Sequence, residues 1–222
     1  MSQPWIDFII RNRIVGFFEE PVKLSSGRYS HWYINWRNIA EDVYLLDQAT
    51  DLLLESVQEM GWEPDTFYGV PEGASKLALL AQFKWARQSE SYGPGSHLFS
   101  MGRGKPKEHG AAADRHFLGK PQGPTIVLED VTTTGGSLLR TVRQLRESGV
   151  PILAAVTLTD RMEPRMDGKH VSEHMKQEGI PYVSMSRATE LLPAAIEHFA
   201  PAEHLVKAVE AELIDNQNAT PS

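Results

Sequence analysis

The chain of 222 residues contains no cysteine, which excludes disulfide bonds, thiolate metal sites and cysteine nucleophiles. No apolar run approaches the roughly 20 residues that a membrane-spanning helix requires. The amino-terminal segment also lacks the basic-then-apolar layout of a secretory signal peptide. We therefore expect a cytoplasmic protein with no membrane partner.

A surplus of positive charge is also absent, since the net charge is −7 and the isoelectric point lies near 5.6. Nucleic-acid binders rely on basic surfaces to neutralise phosphates, so we expect no nucleic-acid partner. A hydrophobic content of 41% is ordinary for a globular protein. No linker-like stretch divides the sequence, and we expect a single domain over residues 1–222 with a disordered tail at residues 215–222.

The sequence alternates short apolar runs with segments in which apolar residues recur at helical spacing. The apolar runs predict strands at residues 32–35, 66–70, 97–101, 125–128, 152–158 and 182–185. The helical periods predict helices at residues 5–13, 46–60, 76–88, 138–149 and 202–214. Strands that alternate with helices imply an α/β fold, in which helices cover both faces of a mostly parallel central sheet.

The segment at residues 125–137, TIVLEDVTTTGGS, combines an apolar strand with two acids and a Thr/Gly/Ser turn. The turn lies between the carboxyl end of a strand and the amino end of a helix, where open α/β sheets bind ligands. Unpaired backbone N–H groups and the helix dipole favour an anion at this position. We predict that a phosphate binds to the turn, whose residues are Val131, Thr132, Thr133, Thr134, Gly135, Gly136 and Ser137.

Glu129 and Asp130 stand directly before this turn. Ionised carboxylates only accept hydrogen bonds, which suits the two hydroxyls of a ribose. The acid pair and the turn together therefore predict a site for a ribose 5-phosphate. The alternative is an ordinary strand-to-helix connection in which Asp130 or Thr132 caps the helix.

Residues 102–122 form a long segment without a convincing period, and loops of this length are often functional lids. Its basic residues outnumber Glu108 and Asp114, and they include Arg103, Lys105, Lys107, His109, Arg115 and His116. We predict a flexible loop that binds a diphosphate and excludes water from the site. The alternative is a solvated basic loop without a binding role.

Residues 125–137 resemble the phosphoribosyl diphosphate (PRPP) motif of the type I phosphoribosyltransferases. Within that group, the orotate phosphoribosyltransferases have a catalytic loop that residues 103–110 resemble. The matching positions in this loop are Arg103, Lys107 and His109, which the resemblance assigns to the diphosphate of PRPP.

Two further segments resemble the orotate-binding parts of the same family. Residues 160–163, Asp-Arg-Met-Glu, are similar to the segment that binds the carboxylate of orotate through an arginine, here Arg161. Residues 24–35 are similar to the base-binding segment, in which Ser25, Tyr33 and Ile34 would border the pyrimidine. The resemblance also adds Thr133 to the orotate-binding residues.

The resemblance implies the type I phosphoribosyltransferase fold, with a small N-terminal base-binding hood at residues 1–45 and a flexible catalytic loop at residues 102–122. It implies transfer of phosphoribose from PRPP to N1 of orotate, giving orotidine 5′-monophosphate and diphosphate in pyrimidine (UMP) biosynthesis. The catalytic residues would be Lys107, Arg103, His109 and Asp130. Mg²⁺ would be carried by PRPP near Glu129 and Asp130 without direct protein ligands, and a homodimer would place the loop in the partner's site.

Three positions depart from the family pattern, because Ser25, Gly73 and Gly104 stand where many members carry lysine. Two alternatives therefore stay open. The first is a phosphoribosyltransferase for another nucleobase, which would not need Arg161 in its Asp-Arg-x-Glu pattern. The second is a non-catalytic regulator that senses PRPP or a nucleotide, which would not need the cations of the catalytic loop.

Overall fold

The computed structural model describes residues 3–24, 26–103 and 116–218, with the backbone alone for residues 217 and 218. Its helices are α1 (Gln3–Arg11), α2 (Trp36–Glu41), α3 (Val43–Glu59), α4 (Ser75–Gln88), α5 (Gly136–Glu147), α6 (Val171–Gln177), α7 (Ala188–Phe199) and α8 (Glu203–Asn218). Its strands are β1 (Val15–Lys23), β2 (Tyr29–Ile34), β3 (Thr66–Gly69), β4 (Met101–Gly102), β5 (Phe117–Leu118), β6 (Thr125–Thr132), β7 (Ile152–Asp160) and β8 (Tyr182–Ser184).

The central sheet consists of four parallel strands in the order β3, β6, β7, β8. Its inner strand β6 begins with an apolar run that is wholly buried, as expected for a strand covered on both faces. Ile126 and Leu128 pack into a hydrophobic cluster with α1, α3, α4 and α7, whereas Val127 packs with α5 and α6. The predicted α/β architecture, with helices on both faces of a parallel sheet, is confirmed.

The N-terminal region is an antiparallel hairpin of β1 and β2 that is fixed above the carboxyl end of β7. Trp36, directly after β2, donates its indole N–H to Oγ1 of Thr159 at 3.0 Å. Trp5 on α1 donates to the Leu158 carbonyl at 3.3 Å and stacks on Trp36, with ring centroids 5.1 Å apart. These buried indoles hold the hairpin at the sheet edge where ligands bind in open α/β folds.

The strand predicted at residues 97–101 is wrong for residues 97–100, because only Met101 enters a strand. β4 pairs with β5 as a two-residue antiparallel ladder outside the central sheet. Leu98 and Phe99 are about half exposed, whereas a strand in a sheet covered on both faces is buried. An apolar surface segment therefore had the sequence pattern of a core strand.

The last helix also differs from its prediction, since α8 continues to Asn218. Residues 215–218, expected in a disordered tail, are helical, and Oδ1 of Asn216 accepts a hydrogen bond from Nη1 of Arg28 at 2.7 Å. Residues 219–222 lie outside the described part of the chain. Across the described ranges, no helix has the length and apolar character needed to cross a membrane.

Candidate active site

A cavity of about 220 Å³ lies at the carboxyl edge of the central sheet, beneath the N-terminal hairpin. Three separate regions and one isolated arginine line it. The lining residues are Lys23, Leu24, Tyr33, Ile34, Asn35, Trp36, Arg37, Pro71, Glu72, Gly73, Glu129, Asp130, Val131, Thr133, Ser137 and Arg161. The structure thus brings together the acid pair, part of the turn, Arg161, Tyr33 and Ile34, which were predicted as site residues from three distant segments of the sequence.

The turn after β6 borders an adjoining cavity of about 150 Å³, which Glu129, Arg140 and residues 131–137 line. Gly135 has a φ of +73°, and a Cβ atom there would collide with the side chain of Val171. Only glycine therefore fits this position, for both its backbone angle and its contact. α5 begins at the next residue, so the unpaired N–H groups of its first turn belong to this turn, as predicted.

One hydroxyl of the turn already has a hydrogen-bond partner inside the protein. Thr132 was predicted as a residue of the phosphate-binding turn, but its Oγ1 donates to Oγ1 of the buried Thr157 at 3.0 Å. Its side chain is buried, at the last position of β6. Thr132 instead contributes to the site through its carbonyl, which accepts a hydrogen bond from the backbone N–H of Arg161 at 2.8 Å.

The acid pair is held largely out of water at the end of β6. Burial raises the pKa of Glu129 well above its ordinary value, the neighbouring Asp130 raises it further, and Arg140 lowers it. Burial also raises the pKa of Asp130, against the effects of backbone hydrogen bonds and of the charge on Arg37. Two adjacent carboxyls with raised pKa values are disposed to receive hydroxyl donors or a cation.

Gly73, in the connection between β3 and α4, approaches this acid pair closely. A Cβ atom at Gly73 would collide with the carboxylate of Asp130. The position at which many family members carry lysine therefore has no room for a side chain in this conformation. The carboxylate of Asp130 occupies that space.

At the opposite end of the cavity, Arg161 is buried and already hydrogen-bonded. Its Nε donates to Oε1 of Glu163 at 2.9 Å, Nη1 to the Trp32 carbonyl at 3.2 Å, and Nη2 to Oγ of Ser30 at 2.9 Å. The guanidinium carbon also lies 3.7 Å from the ring centroid of Trp32. Burial lowers the pKa of Arg161, whereas Glu163 raises it. Because a guanidinium has five N–H donors, two remain for a ligand.

A second carboxylate, Glu212 on α8, stabilises the same end of the site. Its Oε2 accepts from Oγ of Ser30 at 2.6 Å, and its Oε1 accepts from the backbone N–H of His31 at 2.8 Å. On Glu163, Oε2 accepts from Oγ of Ser26 at 2.7 Å. β2, β7 and α8 are thereby connected around one buried cation. Sequence reasoning missed Glu212, which carries no local signal.

Several cations that were not predicted from the sequence lie at the site. Lys23 and Arg37 line the main cavity, and the charge of Arg37 acts on Asp130. Arg140 lines the adjoining cavity, and Arg165 donates from Nη1 to the Thr134 carbonyl at 3.0 Å. They come from four separate segments, so no sequence motif connects them.

The predicted catalytic loop is described only at its ends. Arg103 lies at the β4–β5 ladder, where its backbone N–H donates to the His116 carbonyl at 2.9 Å and Nε to the Phe117 carbonyl at 3.3 Å. Lys107 and His109 lie outside the described residues, as does Ser25 of the base-binding segment. Their predicted roles remain predictions.

Comparisons with known proteins find relatives along most of the chain, although no family model matches it. It is 34% identical over 189 residues to the orotate phosphoribosyltransferase of Rhodopseudomonas palustris strain BisB5, covering 83% of this chain and 92% of the relative. It is also 34% identical over 188 residues to the orotate phosphoribosyltransferase of Aquifex aeolicus, covering 83% of this chain and 94% of that protein.

Solved structures with the same fold include two that cover nearly the whole chain. Leishmania donovani UMP synthase superposes with a TM-score of 0.72 at 18% identity, over 96% of this chain and 42% of that longer one. The orotate phosphoribosyltransferase of Francisella tularensis superposes with a TM-score of 0.67 at 16% identity, over 94% of this chain and 96% of the other. At these identities the likeness concerns the fold alone.

Proposed function

The chain belongs to the orotate phosphoribosyltransferase family, and from this premise we propose that its cleft transfers phosphoribose from PRPP to N1 of orotate. The products are orotidine 5′-monophosphate and diphosphate, in the synthesis of UMP. One observation carries the proposal: a single cavity is lined by the acid pair after β6 and by Arg161, Tyr33 and Ile34. A ribose phosphate at one end and a carboxylated pyrimidine at the other would meet between them.

The phosphate end positions PRPP. The 5′-phosphate would accept hydrogen bonds from the first N–H groups of α5 and from the hydroxyls of Thr133, Thr134 and Ser137. Glu129 and Asp130 would accept hydrogen bonds from the ribose hydroxyls. They would also place negative charge beside the ribose ring, which becomes cationic as the diphosphate departs.

The base end positions orotate. The carboxylate of orotate would accept hydrogen bonds from the two remaining N–H groups of Arg161. The guanidinium group is planar, and its N–H groups match the two oxygens of a carboxylate. The ring would lie against Tyr33 and Ile34, with Thr133 at its edge and Ser25 nearby. N1 of orotate is itself the nucleophile, so the protein needs no nucleophilic side chain, and its contribution is to hold the two substrates in line.

Negative charge on the leaving diphosphate requires cations. Arg103, Lys107 and His109 would supply them from the loop. Lys23 and Arg37 are two further cations that already line the cavity. Preorganised charge of this kind is often the largest contribution to catalysis.

Mg²⁺ fits the donor set of this site. The carboxylates of Glu129 and Asp130 would attract an Mg²⁺ ion that PRPP itself binds, and neither would need to be a direct ligand of the ion. Bound in this way, the ion would neutralise part of the diphosphate charge. Two carboxylates are few for an ion held by the protein alone, so we propose that PRPP carries it into the site.

We also propose a homodimer that places each loop in the partner's site. The apolar patch formed by Phe83, Tyr92, Leu98 and Phe99 surrounds a cavity of about 110 Å³ and is roughly half exposed. Gly119, just after β5, packs against the Phe99 backbone, which joins the patch to the β4–β5 ladder from which the loop extends. Exposed apolar patches of this kind are typical of protein interfaces. An interface at the base of the loop would place the loop next to the second subunit.

The test is to incubate the protein with PRPP, Mg²⁺ and either orotate, uracil or hypoxanthine, and to follow each base by ultraviolet absorbance. We expect loss of orotate alone. Consumption of uracil or hypoxanthine instead would assign another nucleobase. If PRPP binds but no base reacts, the protein is a regulator and the catalytic assignment fails.

A further inference from the structure

Two arginines from different elements flank the turn that follows β6. A Cβ atom placed on Gly136 would lie 3.5 Å from Nη1 of Arg140 on α5 and 3.7 Å from Nη1 of Arg165, which precedes α6. Nη2 of Arg140 donates to Oγ of Ser137 at 3.1 Å. Nη1 of Arg165 donates to the Thr134 carbonyl at 3.0 Å. Both guanidinium groups are therefore positioned by the turn itself.

The electrostatic surroundings of these two cations differ from those of their neighbours on α5. Arg143 and Arg146, further along the helix, both pair with Glu178, at 2.9 and 3.0 Å. Among the described residues, Arg140 and Arg165 form no ion pair with a carboxylate. Arg140 also lies near the amino end of α5, where the helix dipole disfavours a cation.

Two guanidinium groups beside one backbone position repel each other when no anion lies between them. Arg140 does influence the nearby Glu129, whose pKa it lowers, but the two form no contact within ion-pair distance. A dianion bound at the turn would attract both guanidinium groups and so offset their mutual repulsion. Arginine binds phosphate in two-pronged geometry, which a lone helix terminus does not provide.

We propose that Arg140 and Arg165 bind the 5′-phosphate of PRPP and of the nucleotide product, and make the cleft selective for phosphorylated ribose. The identity of the ligand rests on the proposed function, and the choice of residues rests on the contacts above. Arg140 occupies the solvent face of an ordinary helix pattern, and Arg165 lies beyond the Asp-Arg-x-Glu segment, so neither stands out in the sequence.

The experiment measures binding of ribose 5-phosphate and of inorganic diphosphate by calorimetry, for the wild type and the variants Arg140→Met, Arg165→Met and the double variant. We expect the Kd for ribose 5-phosphate to rise about tenfold for Arg165→Met, because one charge-assisted contact is lost. The exposed Arg140 should contribute less, about threefold. Diphosphate, which binds at the other end of the ribose, should keep its wild-type Kd. Arg143→Met is the matched control and should match the wild type for both ligands.

Equal weakening for both ligands, or wild-type affinity of the double variant for ribose 5-phosphate, would overturn the inference. Arg165→Lys keeps the positive charge and removes the guanidinium group. Binding of ribose 5-phosphate that is restored in this variant, relative to Arg165→Met, would support a contact between residue 165 and the phosphate. Failure of lysine to improve on methionine would instead assign Arg165 to holding the Thr134 carbonyl. If the wild type leaves orotate unchanged but its ribose 5-phosphate affinity depends on both arginines, the inference stands and the proposed reaction fails.

Discussion

At the proposed base end of the cleft the buried Arg161 is matched by carboxylates, whereas at the proposed ribose end the buried Glu129 and the partly buried Asp130 have no cation within ion-pair distance in the described part of the chain. Arg161 has Glu163 at 2.9 Å, with Glu212 one hydrogen bond further away through Ser30. Glu129 and Asp130 instead have pKa values that burial raises. The charge of Arg161 is thus paired in the free protein, whereas the charges of the two carboxylates at the other end are left without an ion-pair partner among the described residues.

The two ends therefore contribute differently to the stability of the fold and to ligand binding. Interactions that are satisfied in the free protein stabilise the fold, and breaking them costs stability. Groups that are left unsatisfied destabilise the free protein and favour ligand binding, as is common at functional sites. Substitutions at the two ends should therefore have opposite effects on stability.

The largest change in the free energy of unfolding is expected for Arg161→Met. It leaves Glu163 buried without its cation, and breaking such a pair costs about 3–5 kcal/mol of unfolding free energy. Urea unfolding would measure this loss, and the KM for orotate would rise in any folded fraction. The double variant Arg161→Met/Glu163→Met should recover stability but not orotate binding. A single variant as stable as the wild type would contradict the idea that this end is internally paired.

Asp130→Asn should have the opposite pattern. The amide keeps the size of the side chain but removes a partly buried charge, so the unfolding free energy should stay the same or rise. The value of kcat/KM should fall by about 100-fold or more, because the negative charge proposed to lie beside the ribose is lost. Steady-state kinetics and urea unfolding of the same preparation would test both statements. A large loss of stability would show that this carboxylate is structurally required.

A smaller effect concerns pH. The pKa of Glu129 is raised in the folded protein above its ordinary value of 4.5, so the native state holds its proton more tightly than the unfolded state. The contribution of Glu129 to stability is therefore greatest below pH 4.5 and is lost as the pH rises through the folded pKa. The loss is about 1.4 kcal/mol for each pH unit that separates the folded pKa from the unfolded pKa.

Glu129→Gln removes this titration. The stability of the variant relative to the wild type should rise as the pH increases above 4.5, as measured by urea unfolding at several pH values. Glu178→Gln, at a partly exposed surface carboxylate, is the control and should not reproduce the trend. Parallel pH profiles of the wild type and Glu129→Gln would contradict the raised pKa.

The local part of the site could be predicted from sequence, because strand, acid pair, turn and helix follow one another in residues 125–137 and each has its own signal. Arg161 was also predicted, because residues 160–163 resemble the orotate-binding segment of the family. Glu212 was not, because it meets Ser30 only through a contact that spans 182 positions of the chain. The same holds for Arg165, whose place beside Gly136 depends on how α6 packs against the turn.

Errors in the fold have a similar origin. β1 was not predicted, because its middle residues are exposed, Pro21 interrupts its pattern, and its pairing with β2 shifts register between Phe17 and Val22. Residues 97–100 were predicted as a strand because apolar surface and apolar core look alike in sequence. Burial, which distinguishes them, is a property of the folded chain.

The close approach of Gly73 to Asp130 constrains how this sequence can evolve. A substitution that introduced lysine at position 73 would displace the carboxylate of Asp130, for which we propose contact with the ribose, before the new ammonium group could reach the diphosphate. The order of substitutions therefore matters, and a backbone shift between β3 and α4 has to come first. Cations from elsewhere in the cleft, such as Lys23 and Arg37, are the more accessible route by which this lineage can supply the missing charge.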